Sequence, residues 1–586
     1  MATNTQAINH ILQRIVPFEN DVFPTTQIYL REGCSSTLSS YFQVLHLDAL
    51  RSLGEKEVSI ALMLNGHGRC RLTFYRQSSE SSFAQPLMSI SLTLLNDSEV
   101  RIDLGPDTLS GIAYLEIEAL SDLKIFGASW ALKREPQQIF AAKLSVVSCT
   151  FNRPREMHKT IKAVRSSSTF QSGNARLIIV DNANNLSVPS DLVDDRIKLI
   201  SQSNFGGAGG FTRGLLESKK LGDATHILLM DDDVDVVPEV IDRVWKWLSI
   251  LPHNVVLSGA MLDGVDKTIL YEAGGRFHPH TFYVAPDING IPLDSEEAIR
   301  KLAQTSSPDY GAWWFLAFSQ AALEKVGLPL PVFIRGDDIE FGIRLKKHGF
   351  PTQVVHGLAV WHEPFYLKQS EWQMYYAIRN FTLINSLHFS TSTVTYLRLV
   401  TKTFLQFALR YDYGSAAAIE RGLSHFLNGP AFLLSLDETS HRETVGYVAT
   451  HSAESLTPSE AAKIRTDRLI RPTVSNKVSH LLSISRHLLP ARTKHPPQVF
   501  LEESISWRWI QRDQYLKLHP STKAGRIYRK RPLLFWRLVV RMMFTFIKTA
   551  FTFHRRSAQY RRALPCLTSE NTWKTYLDWN SRKVGS

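Results

Sequence analysis

The chain opens with short runs in which every second residue is apolar: Ser59–Leu64, Cys70–Tyr75, Ser89–Leu95, Val100–Leu104 and Ala113–Leu120. Alternation of period two, recurring roughly every ten residues and punctuated by Asn65-Gly66, Asn96-Asp97 and Gly105-Pro106, predicts short antiparallel strands in a sandwich or jelly roll. The pattern changes at Ala142. Lys143–Phe151 is a strand that runs into Asn152-Arg153-Pro154, and a helical stretch follows. Next come the buried strand Leu177–Asp181, a strand at Ile197–Ile200, a glycine-rich helix start at Asn204–Gly214, and Ile227-Leu228-Leu229-Met230 ending in Asp231-Asp232-Asp233. Strands alternating with helices predict a parallel sheet whose ligand groups collect at the carboxyl ends of its strands. Beyond residue 390 the period becomes helical, as in Val394–Leu409. Residues 436–500 are polar and contain prolines, with Thr457-Pro458-Ser459-Glu460 offering a capping-box start. The expected domains are a β-sandwich over 1–140, an α/β catalytic domain over 141–390 and a helical domain over 391–586.

Composition adds class and compartment. With 586 residues, 44% hydrophobic and 21% charged, the chain is globular and large enough for several cores. Cys34, Cys70, Cys149 and Cys566 stand far apart, which excludes a disulfide framework or a zinc ribbon and fits a reducing compartment. The first residues lack the basic and then apolar stretch of a signal peptide, so a cytoplasmic location is expected.

The net charge of +12 is concentrated in the tail, where fifteen Lys and Arg stand against Glu570 and Asp578 after residue 520. Residues 529–556 are mostly apolar but carry Arg537, Arg541 and Lys548. Cations inside a membrane span are costly, whereas a helix lying in the interface points them at lipid phosphates. An anionic membrane surface is therefore the expected partner. Nucleic acid is not, because the intervening aliphatic and phenylalanine side chains need a hydrocarbon phase. A helix buried at an oligomer interface is the alternative. Removing residues 526–586 is expected to release the protein from anionic vesicles and leave the donor site folded.

Several clusters offer chemistry. An apolar strand ending in Asp231-Asp232-Asp233 delivers oxygen ligands to a sheet edge, although an acidic triplet alone is usually a solvated loop. Gly206-Gly207-Ala208-Gly209-Gly210 lacks the dinucleotide spacing and any Walker lysine, so it either lets backbone amides approach a phosphate or makes a tight loop. Tyr310–Phe315 is aromatic, Asp337-Asp338 precedes a helix, and His362 ends an apolar run. Taken singly, these are commonly a core, a helix cap and a structural histidine.

Their order along the chain is more specific. Phe151-Asn-Arg-Pro, Asp181, Asn204-x-Gly-Gly-Ala-Gly-Gly-Phe, Met230-Asp-Asp-Asp, Gly336-Asp-Asp-x-Glu-Phe-Gly-x-Arg and Trp361-His-x-Pro-Phe together resemble glycosyltransferase family 2 with the GT-A fold. Within it they resemble bacterial galactofuranosyltransferases that build cell-wall galactan from UDP-galactofuranose, as does the Trp372–Asn380 stretch. The resemblance implies that Phe151, Arg153, Asp181, Asn204 and Asp232 line the UDP-sugar site. It implies Asp231, Asp233 and His362 as ligands of Mn²⁺ or Mg²⁺, the imidazole favouring Mn²⁺. Asp338 would be the general base, with Asp337, Trp313 and Trp314 on the acceptor side; Glu340 would orient the acceptor or cap its helix.

A lipid-linked glycan acceptor, an inverting reaction, a peripheral place on the inner face of the cell membrane and a tetrameric assembly are implied in the same way; for the N-terminal domain, the sandwich shape alone suggests either glycan binding or an inert spacer. One departure stands out: Gly336 occupies a position that is aromatic in close relatives, which leaves sugar identity and linkage open. The rival readings are another GT-A transferase, such as a rhamnosyltransferase using dTDP-rhamnose, and a catalytically silent glycan-binding scaffold. The scaffold requires loss of an acid, and none is missing.

Overall fold

The computed structural model describes residues 8–16, 27–135, 138–293, 296–304, 307–365, 370–464, 485, 489–491, 496–500, 505–510, 512–519 and 522–582. Its N-terminal part is one eight-stranded antiparallel sheet. The predicted short strands merge in pairs: Val58–Gln77 and Gln85–Leu104 are each 20 residues long and pair along nearly their whole length. Asn65-Gly66 and Asn96-Asp97 are therefore not turns. They lie opposite each other across this hairpin, with Asn65 donating to Asp97 Oδ1 at 2.7 Å.

Just there the other edge of Val58–Gln77 changes partner. Ile60–His67 pairs with the strand Leu123–Arg134, and Cys70–Gln77 pairs with Ile112–Ala119. A side chain at Gly66 or Gly68 would strike the carbonyl oxygens of Lys124 and Asp122, at 2.4 and 2.5 Å, so glycine is what the dividing sheet requires there. Leu62, Leu72, Phe74, Leu115 and Trp130 fill the core of this sheet.

The second sheet has nine strands. Ile197–Ser201, Ala175–Asp181, Leu144–Thr150 and His226–Leu229 lie side by side and parallel, as expected. Leu316–Ser319 then runs antiparallel between His226–Leu229 and Val256–Asp263, and Thr352–His362 pairs parallel with the latter. These directions put the ends of the strands that finish at Thr150, Asp181, Leu229, Asp263 and His362 on one edge. Alternate residues face opposite cores: Val146, Leu177, Ile179 and Leu228 meet the Pro154–Ser166 helix on one side, while Val147, Ile178, Val180, Ile227 and Leu229 meet the Gly206–Leu221 helix on the other.

The glycines of that second helix allow the contact. A Cβ at Gly210 would lie 1.9 Å from Cys149 Sγ, and one at Gly214 would lie 2.2 Å from Val147 Cγ1.

Among the described residues, the C-terminal part consists of helices Gln373–His388, Thr393–Ala408, Tyr413–Phe426, Glu438–Ala449, Pro532–Leu567 and Glu570–Arg582 with several shorter ones. It also holds a small four-stranded sheet (454–456, 498–500, 514–518, 525–529) that was not expected. The capping box at Thr457 and Glu460 forms; the polar stretch from 465 to 484 lies outside the described residues. These helices share one core with Leu330, Val332 and Phe333 of the loop that leads to Asp337.

The 36-residue helix Pro532–Leu567 buries Phe535, Leu538, Met542, Phe553 and Tyr560 against that core. Its outward face shows Leu533 at 90%, Phe544 at 63% and Phe551 at 85% exposure. Among the described residues no helix is long and apolar enough to cross a membrane. The expectation that the donor site stays folded once residues 526–586 are removed runs against the packing of the end of the chain. Trp573 and Tyr576 are buried beside Phe205, and the Trp573 indole N–H donates to the Pro329 carbonyl at 2.8 Å, so the end of the chain supports the glycine-rich helix.

Candidate active site

The residues after the first parallel strand turn sharply, with Asn152 at φ 58° and Pro154 opening the Pro154–Ser166 helix. This aims Arg153 across the sheet edge at the acidic triplet. Its guanidinium lies 2.5 Å from Asp233 Oδ2 and 3.3 Å from Asp232 Oδ1. Two backbone hydrogen bonds between Asp235 and Trp361, of 2.8 and 2.9 Å, staple the triplet's loop to the strand carrying His362. His362 Nε2 consequently sits 3.3 Å from Asp233 Oδ1. Asp231, Asp233 and His362 present three donor atoms that all lie within 4.8 Å of one another.

Carboxyl groups crowd this edge. Burial, then neighbouring Asp233, pushes the Asp231 carboxyl up to about 7, and burial holds Asp232 at about 6. His362 Nδ1 is buried without a hydrogen-bond partner among the described residues. Two carboxylate oxygens and an imidazole fit a divalent ion, and the nitrogen donor suits Mn²⁺ better than Mg²⁺.

The donor-side candidates take different positions. Phe151 is exposed at the rim. Asp181 is fully buried, and its carboxylate accepts the backbone N–H groups of Ala183, Asn185 and Leu186 at 2.9, 2.8 and 2.7 Å. Asn204 Oδ1 accepts from Gly206 N at 2.9 Å. Both residues are committed to shaping loops at the strand ends.

Asn182 and Gln202, which the sequence did not flag, join these loops. Gln202 donates to Asn182, and Asn182 Nδ2 donates to the Gly206 carbonyl at 3.0 Å. Gly206 itself has φ +69°, and a Cβ there would lie 2.0 Å from the Phe333 carbonyl oxygen. The glycine cluster thus mainly lets a helix approach the sheet and the 330s loop.

Asp337 and Asp338 open the helix Asp337–Lys347 behind Gly336, whose φ is +83°. A Cβ on Gly336 would touch Ile384, Phe381 and Asn380 at 3.3 to 3.5 Å, and the positive φ favours glycine over any residue with a side chain. Asp337 Oδ2 would lie 3.6 Å from a Cβ on Gly207, which joins the acid pair to the glycine-rich helix. Burial raises both carboxyls, Asp338 to about 6 against opposing pulls from the Ile339 N–H and Arg335.

Three more groups surround Asp338. The Glu272 carboxyl, on the strand Ile269–His278, is pushed up to about 7 by burial and then by Asp338. The Tyr310 hydroxyl is raised by burial, then by Asp338 and Glu272, and the Arg335 guanidinium interacts with Asp338 and Tyr310. A single glutamate in an alternating strand gives no sequence signal, so Glu272 was missed.

Trp313, Trp314 and Glu340 are all enclosed. Trp313 is 4% exposed and packs edge-on against Phe211 and Phe341 at 5.2 and 6.0 Å, so its ring offers no open stacking face. Trp314 is also buried, with its indole N–H on the Gly259 carbonyl at 3.1 Å and its ring near Phe365, which itself lies beside His362. Glu340 faces neither acceptor nor solvent. Arg344 binds it at 2.9 and 3.0 Å, His388 binds it at 3.0 Å, and these partners draw its carboxyl down to about 2 in spite of burial.

Residues 145–293 match the family described as Glycosyl transferase family 2. The chain is 26% identical over 517 residues to galactofuranosyltransferase GlfT2 of Mycolicibacterium smegmatis, covering 82% of this chain and 78% of that protein. It is 25% identical over 521 residues to galactofuranosyltransferase GlfT2 of Mycobacterium tuberculosis, covering 82% and 80%. Among solved structures, S. aureus TarS aligns over 53% of each chain at 13% identity and a TM-score of 0.32. GalNAc-T7 with UDP, GalNAc and Mn²⁺ aligns over 44% of this chain and 49% of that one, at 12% identity and a TM-score of 0.31. With its mixed sheet and its acids gathered at one strand edge, the chain carries a glycosyltransferase family 2 domain over residues 145–293 and is similar over most of its length to the galactofuranosyltransferases.

Proposed function

We propose that the protein transfers galactofuranose from UDP-galactofuranose to a lipid-linked cell-wall glycan, with inversion at the anomeric carbon and dependence on a divalent metal. The observation that carries this reading is the meeting, at one sheet edge, of the Asp231, Asp233 and His362 donor set with a buried acid pair. Mn²⁺ or Mg²⁺ held by those three residues would offset the negative charge of the departing diphosphate. Arg153, paired with Asp232 and Asp233, adds a fixed positive charge beside them.

Asp338 takes the proton from the acceptor hydroxyl, whose oxygen forms the new bond at the anomeric carbon as the bond to UDP breaks from the opposite face. A carboxyl held near 6 is ionised at neutral pH yet basic enough for this transfer. Asp337, Glu272 and Tyr310 line the acceptor side.

A panel of nucleotide sugars tests the donor. Acceptor-dependent UDP release from UDP-galactofuranose supports the proposal; turnover of dTDP-rhamnose instead favours the rhamnosyltransferase reading, and turnover of neither favours the silent scaffold.

The proposed seat of membrane attachment is the outward face of Pro532–Leu567, where Leu533, Phe544 and Phe551 are exposed on a helix that also carries Arg537, Arg541 and Lys548. Replacing the three apolar residues together by serine is expected to weaken binding to phosphatidylglycerol vesicles at least tenfold while leaving turnover on a soluble acceptor unchanged. Each substitution removes roughly 1.5–3 kcal/mol of burial if the side chain enters hydrocarbon. Unaltered co-sedimentation would move the membrane role elsewhere in the chain.

A further inference from the structure

The segment Val332–Gly336, which delivers the acid pair, has an unusual backbone. Phe333, Arg335 and Gly336 all adopt left-handed φ values, of 72°, 69° and 83°. For phenylalanine and arginine that conformation is unfavourable and persists only where surrounding groups impose it. The groups that impose it come from the helix Gln373–His388. Asn380 Nδ2 donates to the carbonyls of Ile334 and Arg335 at 3.0 and 2.6 Å. Its Oδ1 accepts from Arg379 Nε at 2.8 Å, which fixes which way the amide faces. Arg379 also donates to the Val332 carbonyl and to the Tyr375 hydroxyl.

Asn380 and Arg379 are each 1% exposed, so the donors of these bonds are held in the core. From the other direction, the Phe333 carbonyl accepts from the Ala208 N–H at 3.1 Å, which ties the same loop to the glycine-rich helix. Eight residues after Asn380, His388 holds Glu340 at 3.0 Å. One helix thereby grips the chain on both sides of Asp337 and Asp338, just before them at 334–335 and just after them at 340.

We infer that Asn380 is a positioning residue for the acid pair: its amide donors lock the left-handed loop that aims Asp338 at the acceptor. This rests on the reading of Asp338 as the base. Asn380 touches neither reacting atoms nor donor, so its loss should appear in turnover and not in nucleotide binding.

The test uses the full-length protein with Asn380→Asp and Asn380→Ala. The aspartate keeps the size and the contact to Arg379 but presents an acceptor to the Ile334 and Arg335 carbonyls, where packing alone would be indifferent. For each variant, thermal unfolding reports folding, UDP binding by calorimetry reports the donor side, and kcat and KM are measured for acceptor and UDP-galactofuranose. Both variants are expected to fold and to bind UDP within twofold of wild type, with kcat reduced ten- to a hundredfold.

An Asn380→Asp enzyme with kcat within twofold of wild type overturns the inference, as does a loss confined to UDP affinity. If Asn380→Ala does not fold, the Asp variant alone decides. Asp338→Asn, assayed in parallel, separates the two claims: full activity there removes the base assignment, while the Asn380 measurement still reports whether the loop governs turnover.

Discussion

Asp338→Asn is expected to lower kcat by about 10³-fold, within the range that a positioned general base contributes, without changing UDP affinity. Asparagine fills the same space at the start of the Asp337–Lys347 helix but cannot take a proton. The wild-type pH profile should carry the same signature. Burial holds the Asp338 carboxyl at about 6, and the ionised form is the competent one, so kcat should be flat above that value. It should fall about tenfold per pH unit below it. In Asp338→Asn that acid limb should vanish from the residual rate. A variant that keeps both the rate and the limb would transfer the base role to another carboxyl, and Glu272, held at about 7 in the same cluster, is the group to examine next.

Asp233→Ala is the second large effect. Asp233 lies 3.3 Å from His362, 2.5 Å from Arg153 and within the donor set formed with Asp231. Removing it deletes one oxygen ligand and leaves Arg153 without its nearest carboxylate. A loss of about 10³-fold or more in kcat is expected, since charge neutralisation by a metal is worth several kcal/mol at the departing group. Saturable activation by Mn²⁺ should disappear as well. EDTA should abolish wild-type activity, and added Mn²⁺ should restore it. Undiminished turnover in EDTA would remove the metal from the account and leave Arg153 as the charge facing the diphosphate.

The strands ending at Thr150, Asp181 and Leu229 were legible because an apolar run closing abruptly on polar residues is a local pattern. The acids at their ends were legible for the same reason. Distance in the chain set the limits. Asn65-Gly66 has strong turn preference, yet pairing with Asn96-Asp97 on a strand thirty positions away prevailed over it.

The glycines 206–214 announced a special backbone, but their partners, Cys149, Val147 and the Phe333 carbonyl, come from other elements. Glu272 carries no local mark, because what distinguishes it is the company of Asp338; Asn380 ends the Trp372–Asn380 stretch, but nothing local shows that it holds the Ile334 and Arg335 carbonyls. Trp313 looked like a platform because aromatic pairs near acids often are; Phe211 and Phe341, which cover it, are far off in sequence. The tail's outward face was visible as cations among apolar residues, whereas the anchoring of Trp573 beneath Phe205 was not.

The most direct test of the central claim is a mass spectrum of the products formed from UDP-galactofuranose and a synthetic lipid-linked galactan acceptor in the presence of Mn²⁺. Acceptor extended by whole hexose units with stoichiometric UDP is expected, with product from Asp338→Asn lower by about 10³-fold. Unextended acceptor, or UDP released by hydrolysis alone, would contradict that claim.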